Sequence, residues 1–130
     1  MQWKLVKNDP QQAKEFFQRK MNFTLGPIEV QYYRDQNVPM NIVDVRHAED
    51  FEKGHVPGAV SLPEDKWETL KGLSNDKPNI LYCYSIVCHL AAKAAVYFAG
   101  QGFSVCEMDG GFASWKEHGL QIEQAVVALR

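Results

Sequence analysis

The segment NILYCYSIVCHLAAKAAVYFAG, residues 79–100, decides the fold. Its first five residues, Asn79 to Cys83, are a short apolar run of the length and composition of a buried strand. From Leu90 onward the period changes. Leu90, Ala94, Tyr97 and Phe98 share one face of a helix that runs to about Gly100. Tyr84 to about Cys88 then form a strand-to-helix loop, and strand, loop and helix together make half of a βαβ unit.

The same alternation extends in both directions. NIVDV at 41–45, AVSL at 59–62 and FSVCEM at 103–108 are further short apolar runs, and the stretch carrying Trp67 and Leu70 has helical spacing. Strands alternating with helices predict an α/β fold, a small parallel β-sheet flanked by helices on both faces. Near the N-terminus, Asp9 before Pro10, with Gln12 three residues after the Asp, marks a helix start. Ala13, Phe16, Phe17 and Met21 fall on one face of that helix, predicted over 10–21, and the stripe is expected to dock on the domain or on a partner chain. A second short helix follows Gly26 and Pro27 through Tyr32 and Tyr33. With no repeat, low-complexity tract or linker, the sequence is read as one domain over 1–130: an N-terminal extension (1–25), a core (26–120) and a tail (121–130). The tail's Ile122, Val126, Val127 and Leu129 are placed to cap the core or a dimer seam, so a homodimer is one outcome.

Composition narrows the partners. The chain has 130 residues, 45% apolar, a formal charge of −2 and a pI near 6.1, with its cations scattered. That pattern predicts no nucleic-acid partner. No stretch approaches the roughly 20 apolar residues of a membrane span, and MQWKLVKNDP lacks the features of a secretion signal, so no membrane association and a cytoplasmic location are expected. Three cysteines fit a reducing compartment better than a disulfide scaffold.

In an open α/β sheet the ligand crevice lies at the carboxyl ends of the strands, where Cys83 sits. Backbone N–H groups of the loop and the positive end of the following helix would point at its sulfur and lower its pKa. Cys88, five residues on, is either a second reactive thiol or a small apolar residue at the helix start. Cys106, inside a strand, is a packing residue. His89 either hydrogen-bonds an anion or faces solvent. Cys83, Cys88 and His89 offer three potential zinc ligands, but no fourth accompanies them, and neither metal nor cofactor is expected. Asp44, Arg46 and Glu49 are read as a structural ion-pair group, and Gly110 with Gly111 as a tight reversal before a helix carrying Trp115.

Several of these pieces, in order, resemble the rhodanese (sulfurtransferase) family over roughly residues 26–120. DVR at 44–46, Glu49 and Phe51, and GHVPGAVSLP at 54–63 are similar to its first signature. YC at 82–83 with the following loop is similar to its active-site strand, and DGGFASW at 109–115 with Gly119 to its closing signature. The resemblance implies that Cys83 is a nucleophile carrying sulfur as a persulfide, with Tyr84, Ser85, Ile86, Val87 and His89 as the substrate-binding loop. It also implies a turn at His55 held by side-chain hydrogen bonds. CYSIVCHLAAKAA is similar to a subgroup with a Cys-x4-Cys loop, in which Cys88 is a candidate resolving thiol. Common members have Gly and often Arg or Lys in this loop. Here there is neither, so the dianion thiosulfate is a poor donor on electrostatic grounds. A low-molecular-weight persulfide, a polysulfide or a protein persulfide is the expected donor, and a thiol the expected acceptor. Two other functions compete: a non-catalytic interaction module on the same fold, and a phosphatase or arsenate reductase, which the lack of Arg between Cys83 and Gly102 disfavours.

Overall fold

The computed structural model describes residues 6–125. Val126, Val127 and Leu129 of the tail lie outside them. Helix α1 (Pro10–Phe23) leads to β1 (Thr24–Leu25), α2 (Pro27–Asp35), β2 (Asn41–Asp44), α3 (Ala48–Lys53) and β3 (Val60–Ser61). A 3₁₀ turn (Glu64–Thr69) precedes β4 (Asn79–Tyr82), α4 (Leu90–Gly100), β5 (Val105–Met108) and α5 (Gly111–Glu117). The five strands form one parallel sheet in the order β1-β5-β4-β2-β3. The α/β architecture with helices flanking a parallel sheet is the one the alternation predicts. Among the described residues no helix is long and apolar enough to cross a membrane.

β4 lies at the centre, and all four of its residues are buried. Side chains of a strand alternate between faces, which divides the core in two. Ile80 and Tyr82 pack with Val30, Val56, Phe112 and Trp115 on one face. Leu81 and Cys83 pack with Val43, Trp67, Ala94 and Phe98 on the other. The same parity governs β5: Cys106 opposite Ile80 joins the first cluster, and Glu107 is opposite Leu81. Among the described residues, the Ser61 hydroxyl is buried without a hydrogen-bond partner, whereas the other polar side chains of the core are paired. The Asn79 amide accepts from Asn41 and Ser74 and donates to the carbonyls of Ser74 and Ser104. The indole N–H groups of Trp67 and Trp115 donate to Leu62 and Gln121 carbonyls.

Several expectations are corrected. The N-terminal helix is two residues longer than predicted, with the Asp9 carboxylate accepting from the Gln11 amide as its cap, but its stripe does not dock on the core. Phe16, Phe17 and Met21 remain 60%, 55% and 76% exposed. The cause is placement: the main contacts of α1 are with β1 and β5, at a sheet edge rather than over a sheet face. Thr24–Leu25 form an unforeseen edge strand, paired in parallel with Glu107–Met108. The Trp67 stretch is a 3₁₀ turn, ended by Leu70 at φ 54°. The tail returns to the core as an extended segment, with His55 and Glu123 exchanging backbone hydrogen bonds.

The ion pair at the end of β2 holds this frame. Arg46, 4% exposed, makes a two-pronged contact with the fully buried Asp44, the closest approach being 2.7 Å. It also donates to the Gly54 carbonyl at 2.6 Å, and its guanidinium lies 4.1 Å from the centre of the Phe112 ring. Glu49 is exposed and outside the pair. His55 is a structural residue, its Nδ1 donating to the Phe51 carbonyl at 2.7 Å and its ring stacked on Phe51. Removing one member of a buried pair strands the other charge, so Asp44→Ala is expected to lower unfolding stability by about 3–5 kcal/mol in urea titrations. Asp44→Ala with Arg46→Met should lose less than the sum of the single changes; strict additivity would mean the two charges do not depend on each other.

Candidate functional site

β4 delivers Cys83 to the carboxyl end of the sheet, and the loop that follows curls back over it. Cys88 closes a turn by donating its N–H to the Ser85 carbonyl. α5 holds the loop from beneath: the amides of Phe112 and Ala113 donate to the carbonyls of Cys83 and Tyr84, both at 2.9 Å. The approach is possible because residue 111 is glycine. A Cβ there would lie 2.6 Å from the Cys83 carbonyl oxygen and 2.9 Å from the Ser85 nitrogen, and φ is +61°.

The loop encloses a cavity of about 320 Å³ lined by Cys83, Ser85, Ile86, Cys88 and His89, with Ala92 from α4 and the 107–111 segment opposite. Cys83 is at its base, 2% exposed, and Cys88 is partly exposed above it. Both thiols are free. The Cys83 thiol donates to the Cys88 carbonyl at 3.5 Å, and the two thiols are coupled in their ionisation. The backbone amides of Tyr84 and Ala91 favour the anionic form of Cys83, and those of Leu90 and Tyr84 favour that of Cys88. The pair thus sits in a shell of amide dipoles at the start of α4, an arrangement that holds anionic sulfur.

The acidity within the pair is reversed from the expectation. Burial pushes the Cys83 thiol up to about 11, and donation to Cys88 adds to the rise, outweighing the Ala91 and Tyr84 amides. Burial also opposes ionisation of Cys88, but hydrogen bonds from the Cys83 thiol and from the Leu90 and Tyr84 amides bring it below the ordinary thiol range. The first negative charge of the pair therefore resides on Cys88, with Cys83 as its proton donor.

Not every residue of the anticipated binding loop faces the cavity. Tyr84 turns to the opposite side of the loop, where its hydroxyl donates to the Asp50 carboxylate and accepts from the His47 amide. It lines a separate cavity of about 450 Å³ with Arg46, Lys53 and Lys116. Val87 is 84% exposed and outside the lining. Ile86 is at the rim and 80% exposed. Cys106, on the other face of the sheet, packs against the core cluster of Ile80 and Trp115. Six lining residues were missed, Ala92 and those at 107–111, and the charged ones among them are Glu107 and Asp109. The signal was a lone charge in the apolar run FSVCEM, on a strand that runs beside β4.

Comparison with known proteins places this geometry. The family model described as Rhodanese-like domain matches residues 29–118. Thiosulfate sulfurtransferase GlpE of Pseudomonas savastanoi pv. phaseolicola is 36% identical over 94 residues, 71% of this chain and 85% of that protein. HTH-type transcriptional regulator Rv0324 of Mycobacterium tuberculosis is 30% identical over 86 residues, 65% of this chain but only 38% of that protein, so the chain spans well under half of the regulator's length. Among solved structures, the BH2092 protein of Bacillus halodurans superposes with a TM-score of 0.82 at 32% identity, covering 89% of this chain and 87% of that one. A parallel sheet that carries a cysteine loop at the end of its central strand, pinned by a glycine-led helix, agrees with that match, and the chain belongs to the rhodanese-like domain family.

Proposed function

We propose that the chain is a sulfurtransferase in which Cys83 carries sulfane sulfur as a persulfide, Cys88 manages its proton and its release, and small or protein-bound persulfides serve as donors. One observation carries the proposal: two free thiols share a single amide-lined cavity at the end of the central strand. Cys88, the more acidic thiol, takes the proton of Cys83. The resulting Cys83 thiolate attacks the outer sulfur of a donor R–S–SH, the donor's S–S bond breaks, and R–S⁻ departs as Cys83–S–SH forms. The same loop amides that favour the thiolates then favour the persulfide anion.

Two exits follow from the Cys83 persulfide. An acceptor thiolate attacks the outer sulfur and leaves with it, returning Cys83 as a thiolate. Alternatively, once the departing R–S⁻ has taken the Cys88 proton, the Cys88 thiolate attacks the inner sulfur, a Cys83–Cys88 disulfide forms and HS⁻ is released, with the sulfane sulfur as the oxidant. A thiol reductant then restores the pair, which suits a chain working in a reducing cytoplasm on thiol acceptors. The loop from Cys83 to Cys88 contains no Lys or Arg to neutralise thiosulfate, which is why this reading keeps that donor secondary.

Intact-protein mass spectrometry after polysulfide treatment, without reductant, tests the assignment. A gain of one sulfur is expected in wild type and Cys88→Ser but not in Cys83→Ser. A loss of two hydrogens is expected only where both cysteines are present; if Cys88→Ser releases sulfide as fast as wild type, the resolving role fails. Absence of any adduct would favour an interaction module on the rhodanese fold. The proton arrangement has its own check: alkylation followed across pH should label Cys88 with a midpoint below that of an ordinary thiol and Cys83 only as pH approaches about 11. The reverse order would remove Cys88 as proton acceptor.

A further inference from the structure

The wall of the cavity opposite the loop is acidic. Glu107 stands on β5 in register with Leu81, on the face of the sheet that also bears Cys83, and Asp109 follows two residues later. Both line the cavity that holds the two sulfurs. Among the described residues the ion pairs are Arg46–Asp44 and His55–Glu123, so no Lys or Arg is paired with either carboxylate. The titratable groups lining the cavity are Cys83, Cys88, His89, Glu107 and Asp109, with no Lys or Arg. Glu107 is half-buried. Burial and then Asp109 raise its carboxyl above the ordinary range, His89 pulls the other way, and its charge is felt at the Cys88 sulfur.

We propose that Glu107, supported by Asp109, is the charge-selecting residue of this site: it repels anionic sulfur donors and acceptors and favours aminothiols, whose ammonium lies two carbons from the reacting sulfur. The inference rests on the persulfide reading of Cys83 and assigns it a substrate class. A cavity of about 320 Å³ admits a small thiol whole, so the substrate's charge enters a partly dehydrated space beside the carboxylates. There, interactions between charges are stronger than in water. Selectivity of this kind arises as much from repelling the wrong ligand as from attracting the right one. In the transfer step the thiolate of the aminothiol attacks the outer sulfur of Cys83–S–SH, the enzyme's S–S bond breaks, Cys83 leaves as a thiolate and the aminothiol departs as its persulfide.

The test loads Cys83 with cysteamine persulfide, a donor of the favoured aminothiol class, removes the excess and follows loss of the enzyme persulfide by mass spectrometry with three thiols of similar size: cysteamine, 2-mercaptoethanol and mercaptoacetate. Wild type, Glu107→Gln and Asp109→Asn are compared through the ratio of the cysteamine rate to the mercaptoacetate rate. Intrinsic thiol reactivity cancels between variants. The ratio is expected to fall roughly tenfold in Glu107→Gln and by a smaller factor in Asp109→Asn, while 2-mercaptoethanol changes least. Loading of Cys83 with an unchanged ratio in both variants overturns the charge selection and leaves the carrier reading intact. Failure of wild type to load overturns both, and the mass spectrum tells the two failures apart.

Discussion

The backbone of the loop after β4 lies against the backbone of Gly111 at a distance that no side chain at residue 111 would permit. Through this contact the first amides of α5 reach the carbonyls of Cys83 and Tyr84, and these two carbonyls turn toward α5. Backbone amides of the strand-to-helix segment favour anionic sulfur instead. The division is not complete: the Cys88 carbonyl accepts from the Cys83 thiol at 3.5 Å, and a carbonyl directed at the sulfur opposes the neighbouring N–H dipoles and keeps the proton on the deeper thiol. The site is therefore made largely of main chain, and its side chains modulate a field that the backbone already supplies.

Arg46 performs a complementary task on the other side of the loop. It joins the end of β2 to the Gly54 carbonyl and to the ring of Phe112 on α5. Tyr84, also near the guanidinium, ties the loop to Asp50 on α3. The loop is thus gripped by main-chain bonds on one flank and by a buried charge network on the other. Only the tip at Ile86 and Val87 projects into solvent.

Much of this was legible in the sequence, for reasons that also define what was not. β2 and β4 are buried on both faces, so their runs are continuous and apolar, and their ends were placed within a residue. β1 has no such pattern. Thr24 and Leu25 become a strand only because β5 lies beside them, a long-range fact with no local signature. The N-terminal helix was visible through its cap and period, but period reveals which face is apolar and not whether anything covers it. Within the site, spacing brought Cys83, Cys88 and His89 to one loop and could not say that Tyr84 would turn away. The direction of the Cys83 shift was misread because helix and loop dipoles were weighed against a single sulfur. With two sulfurs sharing those dipoles, the deeper one keeps its proton and the shallower one takes the charge.

The strand order carries a consequence for the history of the molecule. β5, the last of the five described strands, lies between β1 and β4, so the sheet closes only when residues 105–108 insert between elements that precede them by about 25 and by about 80 positions. Until then Cys83 has no opposite wall, no Gly111 contact and no acidic neighbour. A chain emerging from the ribosome therefore passes through a stage in which both thiols are present but unshielded, and the reactive pair is assembled by residues translated after it rather than by the segment that encodes it.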